Sequence, residues 1–335
     1  MTTVNLFRLG VLTSGGDAPG MNAAIRAITL KGLSAGFEIV GINAGYNGIF
    51  NLDTQILSAQ SVDNIIQRGG TLLKTARCSQ LREEDGPRLA AEKLTQLKLD
   101  ALIIIGGDGS FRGAVKLAEF WPKPIIGIPG TIDNDINGTD QTIGFWTAID
   151  TALDSIDKIR DTADAFERIF VVEVMGRDCG FIAMESGIAC GAEQIICHEL
   201  IEDEETYLAQ LYNAILHAVT WRQTQSYVIV IAEHSLSISS AELAKRIADF
   251  TGVDTKSAIL GYIQRGGAPV AMDRVLATQL GISAVKAVCE GKTGLMIGMK
   301  NNEMVEIPFA QTGLKNTHNQ DLIKRLKHFN FDLTD

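Results

Sequence analysis

Short apolar runs recur along the chain, many closing in a glycine-containing turn, and alternate with segments whose apolar positions fall three or four residues apart. LGVLTSGG (9–16) precedes a helical pattern from about Met21 to Ala35, and FEIVGIN (37–43) comes next. DALIIIGG (100–107) leads into GSFRGAVKLAEF, and IIGIPG (125–130) runs into the turn PGTIDND (129–135). Strand, glycine turn, helix and strand in this order predict βαβ units around a parallel sheet, an α/β protein. From about Gly144 a long helix, FWTAIDTALDSIDKIRDTADA, opens a second series. RIFVVEVMG (168–176), a helix around CGFIAMESGIA, AEQIICHE (192–199), a helix near 204–221 and SYVIVIAEH (226–234) predict a second α/β unit. SAILGYIQRGG (257–267) and the helix after it fit either unit, because no Pro/Ser-rich linker marks a boundary. No low-complexity tract or short-period repeat interrupts the pattern.

Composition narrows the partners. At 335 residues, 46% hydrophobic and 21% charged, the chain is long enough for two domains with a large core. Thirty Lys and Arg against 40 Asp and Glu leave a formal charge of −10, which argues against nucleic acid or an anionic membrane as the main partner. An anionic substrate would then need a local basic pocket. The cysteines, Cys78, Cys179, Cys190, Cys197 and Cys289, form no CxxC pair and are odd in number, so neither a disulfide framework nor a zinc site is expected. Reduced thiols in a cytoplasm are the simplest reading. The start, MTTVNLFRLGVLTSGG, carries Arg8 within a short apolar stretch and runs straight into a strand, unlike a signal peptide. No apolar run reaches membrane-spanning length.

The candidate chemistry lies in the turns. TSGGDAPGMN (13–22), IGGDGS (105–110) and IPGTIDND (128–135) each follow an apolar strand. Glycines let backbone N–H groups approach an anion closely and the helices that follow present positive dipole ends, so three such turns together point to a polyphosphate. No GxxxxGK[ST] loop is present, and the first turn lacks the GxGxxG spacing expected for a dinucleotide. Asp108, between glycines, could reach a metal carried by a nucleotide or could cap the helix at 109–119; both readings stay open. In TIDND an extended backbone would put Thr131, Asp133 and Asp135 on one side. Two nearby carboxylates can divide labour, one accepting a proton from an attacking hydroxyl while the other orients Mg²⁺; the alternative is an Asx-turn cluster that only shapes the loop.

Arg77, Arg168, Arg177, Lys256 and Arg265 all lie at or beside strand ends or turns, where phosphate contacts would be placed. The histidines (198, 217, 234, 318 and 328) have no spacing for metal ligation or a nucleophilic triad. Neither Ser110 nor Cys179 sits in a nucleophile elbow, which argues against a covalent hydrolytic mechanism.

GVLTSGGDAPGMNAAIR (10–26), RGGT…AR (68–77), IIGGDGS (104–110), PGTIDND (129–135), VVEVMGR (171–177), AEH (232–234) and IQRGG.P (263–269) share an order and spacing. Together they resemble the ATP-dependent 6-phosphofructokinase family of the bacterial type over nearly the whole chain. The resemblance implies two Rossmann-like domains with mainly parallel sheets and an active-site cleft between them. A nucleotide-binding domain would span 1–144 plus 264–314, and a sugar-phosphate domain 145–263 plus 315–335. It implies transfer of the ATP γ-phosphoryl to the 1-hydroxyl of fructose 6-phosphate or a similar ketose phosphate in glycolysis. By matching positions, Asp133 would be the base, with Arg77, Thr131, Asp135 and Arg177 as further catalytic residues. Asp108 would hold Mg²⁺, while Gly16, Tyr46, Arg77, Cys78, Gly107, Asp108, Gly109 and Ser110 would meet ATP. Thr131, Ile132, Asp133, Arg168, Met175, Gly176, Arg177, Glu233, Lys256, Tyr262 and Arg265 would surround the sugar phosphate, partly from a neighbouring subunit. Self-association, as at least a dimer and usually a homotetramer, follows from the same likeness.

Family members that use pyrophosphate carry Asp where this chain has Gly109 and Lys where it has Gly130, so both glycines favour ATP. Two positions depart from the pattern. Lys256 stands where the family has arginine, keeping the charge without the bidentate fork, and Tyr262 stands where it has histidine. Tagatose 6-phosphate or sedoheptulose 7-phosphate is therefore the alternative acceptor. A non-catalytic sugar-phosphate or nucleotide sensor is the alternative class, opposed by Asp108, Asp133 and Arg77 occurring together. An NAD kinase-like reading rests on GGDG alone and leaves TIDND and MGR unexplained. The family's effector site for ADP or phosphoenolpyruvate has matches in Arg160 and Glu193, while basic positions are replaced by Leu30, Ala59 and Thr224. Weak or absent control by those anions is expected.

Overall fold

The structure, a computed structural model, describes residues 6–221 and 226–314. Its elements in chain order are β1 (Arg8–Ser14), α1 (Met21–Ser34), β2 (Glu38–Ile42), α2 (Tyr46–Asn51), β3 (Thr54–Leu57), α3 (Gly86–Gln96) and β4 (Ala101–Gly106). These are followed by α4 (Asp108–Ala118), β5 (Ile125–Pro129), α5 (Phe145–Phe166), β6 (Ile169–Val174), α6 (Phe181–Ala189), β7 (Gln194–Ile196) and α7 (Glu204–Trp221). The remainder comprises β8 (Tyr227–Ala232), α8 (Ser240–Thr251), β9 (Thr255–Ile259), α9 (Ala271–Cys289), β10 (Leu295–Lys300), β11 (Glu303–Pro308) and α10 (Phe309–Thr312). The chain divides into two compact units: the first runs to Thr147 and resumes at Arg265, and the second runs from Ala148 to Gln264. The expected assignment of 315–335 and the position of Thr224 lie outside the described residues.

The first unit holds a 7-stranded sheet in the order β11-β10-β5-β4-β1-β2-β3, parallel except where β11 and β3 pair antiparallel at its two edges. Every residue of β4, ALIIIG, is buried, the continuous apolar run of a strand covered on both faces. One face packs against α1 and α9. The other is closed by Leu12, Ile42, Leu94, Ile104, Phe111 and Leu117, from strands and from α3 and α4. Phe111 stacks on Phe309 of α10 with ring centroids 5.4 Å apart.

Strand order places the turns. β1 leads through α1 to β2 on one side, and β4 leads through α4 to β5 on the other, so the switch in direction falls between β1 and β4. Ligands of open α/β sheets bind at the carboxyl ends of strands at such a point. Ser14 is level with Gly106, and Gly106 with Pro129, so the three glycine turns leave one edge side by side.

The second unit is a 4-stranded parallel sheet, β7-β8-β6-β9. Val171, Ile229 and Ile231 pack with Leu211 and Ile215 of α7 and Leu243 and Ile247 of α8. Ser239 caps α8 by accepting the Glu242 N–H at 3.2 Å, the S-x-x-E arrangement that starts a helix, and Gly252 ends it in the left-handed conformation. The run 257–267 behaves differently from a single strand. β9 stops at Ile259, a short 3₁₀ turn spans Gly261–Arg265, and the boundary between units falls between Gln264 and Arg265.

Candidate active site

In the first unit the turn after β1 is packed from below by the RGGT…AR segment. Asn22 of α1 accepts the Leu72 N–H at 2.6 Å and donates to the carbonyls of Arg68 and Gly69 at 3.1 and 3.2 Å. Thr75 Oγ1 donates to the Gly15 carbonyl at 2.9 Å, and Thr13 Oγ1 to the Lys74 carbonyl at 2.7 Å. Asn22 and Thr75 were not singled out from sequence, although Asn22 sits inside the first glycine motif. The Arg265 guanidinium lies against Gly16 and donates to the Asp17 carbonyl at 3.3 Å. Arg77 is exposed and its carbonyl accepts from Asn47 Nδ2 at 3.4 Å.

The second turn is set by Gly106. A Cβ there would come within 2.5 Å of the Ser14 carbonyl oxygen and 2.6 Å of Ser110 Oγ, so only glycine lets β1 and α4 approach this closely. Gly107 is the N-cap of α4 and Asp108 its first residue. The capping reading of Asp108 therefore gives way to another: its carboxylate pairs with Arg112 one turn along, through Oδ2. Oδ1 is buried and has no hydrogen-bond partner. A lone hard oxygen of this kind fits Mg²⁺, which is usually held by one or two carboxylates plus substrate phosphates and waters. Among the described residues no group of three or more His, Cys, Asp or Glu side chains could hold a metal by itself, so the phosphates of a bound nucleotide would have to complete the shell. Ser110 is buried, and its carbonyl accepts from the Tyr46 hydroxyl at 2.7 Å. Tyr46 is itself buried, and that burial, with Cys78 nearby, pushes its phenol well above the usual range. Both Tyr46 and Cys78 thus pack against the inner face of the core beneath the turn.

The third turn departs from the extended segment expected for TIDND. Thr131 Oγ1 accepts the Asp133 N–H at 3.2 Å, and Asn134 has φ 51°, so the chain curls. A hydroxyl bonded to the backbone two residues on favours a turn over a strand, so alternation at i, i+2 no longer sets the faces of these residues. Thr131, Ile132 and Asp133 are buried, and Asp135 is half-buried. Thr142 Oγ1 donates to the Thr131 carbonyl at 2.6 Å, and the Asn134 side chain to the Asp140 carbonyl at 3.1 Å. A Cβ built at Gly107 would lie 3.8 Å from that of Thr131, so the turns that carry Asp108 and Asp133 face each other. At Gly109 a Cβ would meet only Arg112 Nη2 at 3.8 Å, whereas at Gly130 it would come within 2.9 Å of Ile105 and 3.0 Å of Met21.

In the second unit Glu233 follows β8 and reaches the turn after β6. Its Oε1 accepts the N–H groups of Gly176 and Arg177 at 3.2 and 2.7 Å. Met175 N–H is held at 2.8 Å by Oε1 of the buried Gln264, whose Nε2 has no hydrogen-bond partner. The Arg177 side chain is exposed and pairs with Asp178 at 3.5 Å. Arg168 Nε and Lys256 Nζ both bind Asp254, at 2.6 and 2.8 Å, and the Arg168 guanidinium lies over the Phe166 ring. Tyr262 is 84% exposed. Arg160 pairs with Glu193 at 3.1 Å, and Glu193 also accepts the Val228 N–H at 2.7 Å.

The phosphofructokinase family model matches residues 8–288. ATP-dependent 6-phosphofructokinase 2 of Bacteroides thetaiotaomicron is 45% identical over 322 residues, 95% of this chain and 97% of the relative. ATP-dependent 6-phosphofructokinase 1 of Clostridium perfringens is 48% identical over 300 residues, 90% of this chain and 92% of the relative. The solved phosphofructokinase of Saccharomyces cerevisiae superposes with a TM-score of 0.85 at 32% identity, over 97% of this chain and 47% of the yeast chain.

Proposed function

This chain belongs to the phosphofructokinase family, and on that premise we propose that it transfers the γ-phosphoryl of ATP to the 1-hydroxyl of fructose 6-phosphate, giving fructose 1,6-bisphosphate and ADP. The observation that carries this reading is the level alignment of Ser14, Gly106 and Pro129, which brings the Gly15–Gly16, Asp108 and Thr131–Asp133 turns to one edge. Backbone N–H groups of the first two turns suit the donor phosphates. Asp108 would hold Mg²⁺, whose charge would offset that of the donor phosphates. Asp133, buried beside Thr131, accepts the proton as the sugar hydroxyl attacks. Arg77 and the Gly16 backbone steady the transferring group, and positioning with charge neutralisation supplies most of the rate.

The first unit carries the nucleotide determinants together with Thr131–Asp133 and Arg265, and the second the remaining residues for the sugar phosphate: Met175–Arg177, Glu233, Arg168, Lys256 and Tyr262. The protein works in the cytoplasm as a self-associated assembly, a homotetramer. Among the described residues no helix is long and apolar enough to cross a membrane. A second reading, a kinase for another ketose phosphate, is favoured by Lys256 being engaged by Asp254 and by the exposed Tyr262. The test is to offer purified protein ATP or pyrophosphate with a panel of fructose 6-phosphate, tagatose 6-phosphate and sedoheptulose 7-phosphate. The highest kcat/KM is expected for ATP with fructose 6-phosphate. Preference for another ketose supports the second reading, and no transfer to any of them overturns both.

A further inference from the structure

Asp273 of α9 is fully buried and forms no ion pair among the described residues. Its Oδ1 accepts the Gly144 N–H at 2.8 Å, and its Oδ2 accepts the Thr147 N–H at 2.7 Å and the Thr147 hydroxyl at 2.5 Å. Thr147 Oγ1 in turn accepts the Val270 N–H at 3.1 Å, at the start of α9. A distant carboxylate thus satisfies the N-terminal amides of α5, a task that a Ser, Thr, Asp or Asn at position 144 would ordinarily perform from within the helix.

Position 144 cannot carry such a side chain. Gly144 has φ 101°, and a Cβ on it would come within 2.7 Å of Ala18, 3.2 Å of Pro19 and 3.2 Å of Ile132. The backbone here is wedged between the turn after β1 and the turn that holds Asp133. The residues just before it are bonded to the same turn: Ile143 N–H to the Pro129 carbonyl at 2.9 Å, and Thr142 Oγ1 to the Thr131 carbonyl at 2.6 Å. Gly20, at the start of α1, packs on the other side, where a Cβ would lie 2.7 Å from Ile143 and 3.5 Å from Asp273. A carboxylate buried without a cation is unfavourable unless each of its hydrogen bonds is made, so this one holds its donors in a single arrangement.

We propose that Asp273 is a positioning residue, which by clamping Gly144 and Thr147 sets the Thr131–Asp133 turn against the phosphate-binding turn at 15–20. The proposal rests on the kinase reading for its kinetic consequences, while the clamp itself is read without any substrate. Asn at 273 presents an N–H₂ to one of the three donors, so the clamp opens without removing the side chain's bulk.

The test combines kinetics with hydrogen exchange on the full chain. Asp273→Asn is expected to lower kcat by about 100-fold while both KM values stay within about threefold of wild type. In an Asp133→Ser background the same change is expected to lower kcat by less than about threefold, because its effect passes through Asp133. Amide exchange over residues 129–147 is expected to quicken, with β6 and β8 unchanged. Thr147→Val is expected to reproduce part of both effects and Thr147→Ser to restore them, which covers the case in which Asp273→Asn fails to fold. Wild-type kcat and exchange in Asp273→Asn overturn the proposal, as does a kcat loss that multiplies in full with that of Asp133→Ser. If wild type phosphorylates no ketose phosphate, the kinase reading fails by itself, and exchange over 129–147 decides the clamp.

Discussion

The carboxylate of Glu233 accepts the backbone N–H of Arg177 at 2.7 Å, from the end of β8 to the turn after β6. The same Oε1 accepts from Gly176, and both residues have positive φ, 148° and 58°. A non-glycine residue in that conformation costs of order 1–3 kcal/mol and persists where its surroundings hold it. Glu233 therefore shapes the turn that the proposed reading sets beside the sugar. Hydrogen bonds to a charged group are worth about 1.5–3 kcal/mol each, so Glu233→Ala is expected to raise KM for the sugar phosphate by about tenfold or more. KM for ATP should be unchanged, and steady-state kinetics with each substrate varied in turn checks the split.

Asp133 is buried beside a hydroxyl that bonds its own backbone. If it takes the proton of the attacking hydroxyl, Asp133→Ser removes general-base catalysis, a loss of about 10²–10⁴ in kcat. Nucleotide affinity measured by equilibrium binding should stay within about threefold, since the proposed reading assigns the donor to other turns. Unaltered turnover would assign the proton to another group.

Asp108 offers one buried oxygen without a partner and one engaged by Arg112. Asp108→Asn keeps the shape and removes the charge, so the Mg²⁺ concentration for half-maximal nucleotide binding should rise, by about tenfold for a lost charge-assisted contact. Titrating Mg²⁺ against nucleotide binding, with no sugar phosphate present, reads this apart from turnover.

Gly109 is open, with nothing nearer than Arg112 Nη2 at 3.8 Å from where a Cβ would stand. Gly109→Asp is thus expected to fold normally, with stability changed by less than about 1 kcal/mol. Its carboxylate would meet the donor, and KM for ATP should rise by about tenfold or more from like-charge repulsion in the first turn of α4. Equal KM values for the two proteins would show that position 109 does not face the nucleotide.

The strand-turn-helix rhythm carried most of the fold, since a buried parallel strand such as ALIIIG (101–106) is apolar at every position and needs no partner to be recognised. The β10–β11 hairpin was also legible, in Asn301 and Asn302 between two apolar runs, where φ values of 52° and 62° suit a tight turn. Long-range polar pairings could not be read: the sequence places Asn22 beside Leu72, and Asp273 beside Gly144, only after the chain has folded. The curl at Thr131–Asn134 was hidden for another reason. Alternation at i, i+2 predicts a shared face only if the backbone stays extended, and the Thr131 hydroxyl draws it into a turn.

Asp254 holds two of the cations expected to meet a phosphate, Arg168 through Oδ2 and Lys256 through Oδ1. The hydrogen bond from Lys256, opposed by desolvation and supported by the charges of Lys256 and Arg168, keeps its carboxyl below the usual range. The sign follows from that lowering. The folded protein binds the proton less readily than the unfolded chain, so the stabilisation is complete above the unfolded value near 3.8 and is lost as pH falls through the lower folded value. Asp254→Asn should therefore flatten this part of the acid limb of a stability-pH curve, measured by denaturation midpoints below about pH 4. At neutral pH the same substitution frees two cations from a competing anion. KM for the sugar phosphate should then fall, and the difference from wild type should shrink as salt rises, because exposed charges are screened over about 8–10 Å near physiological ionic strength. An unchanged KM at low salt would mean that Arg168 and Lys256 serve the fold of this unit rather than the phosphate.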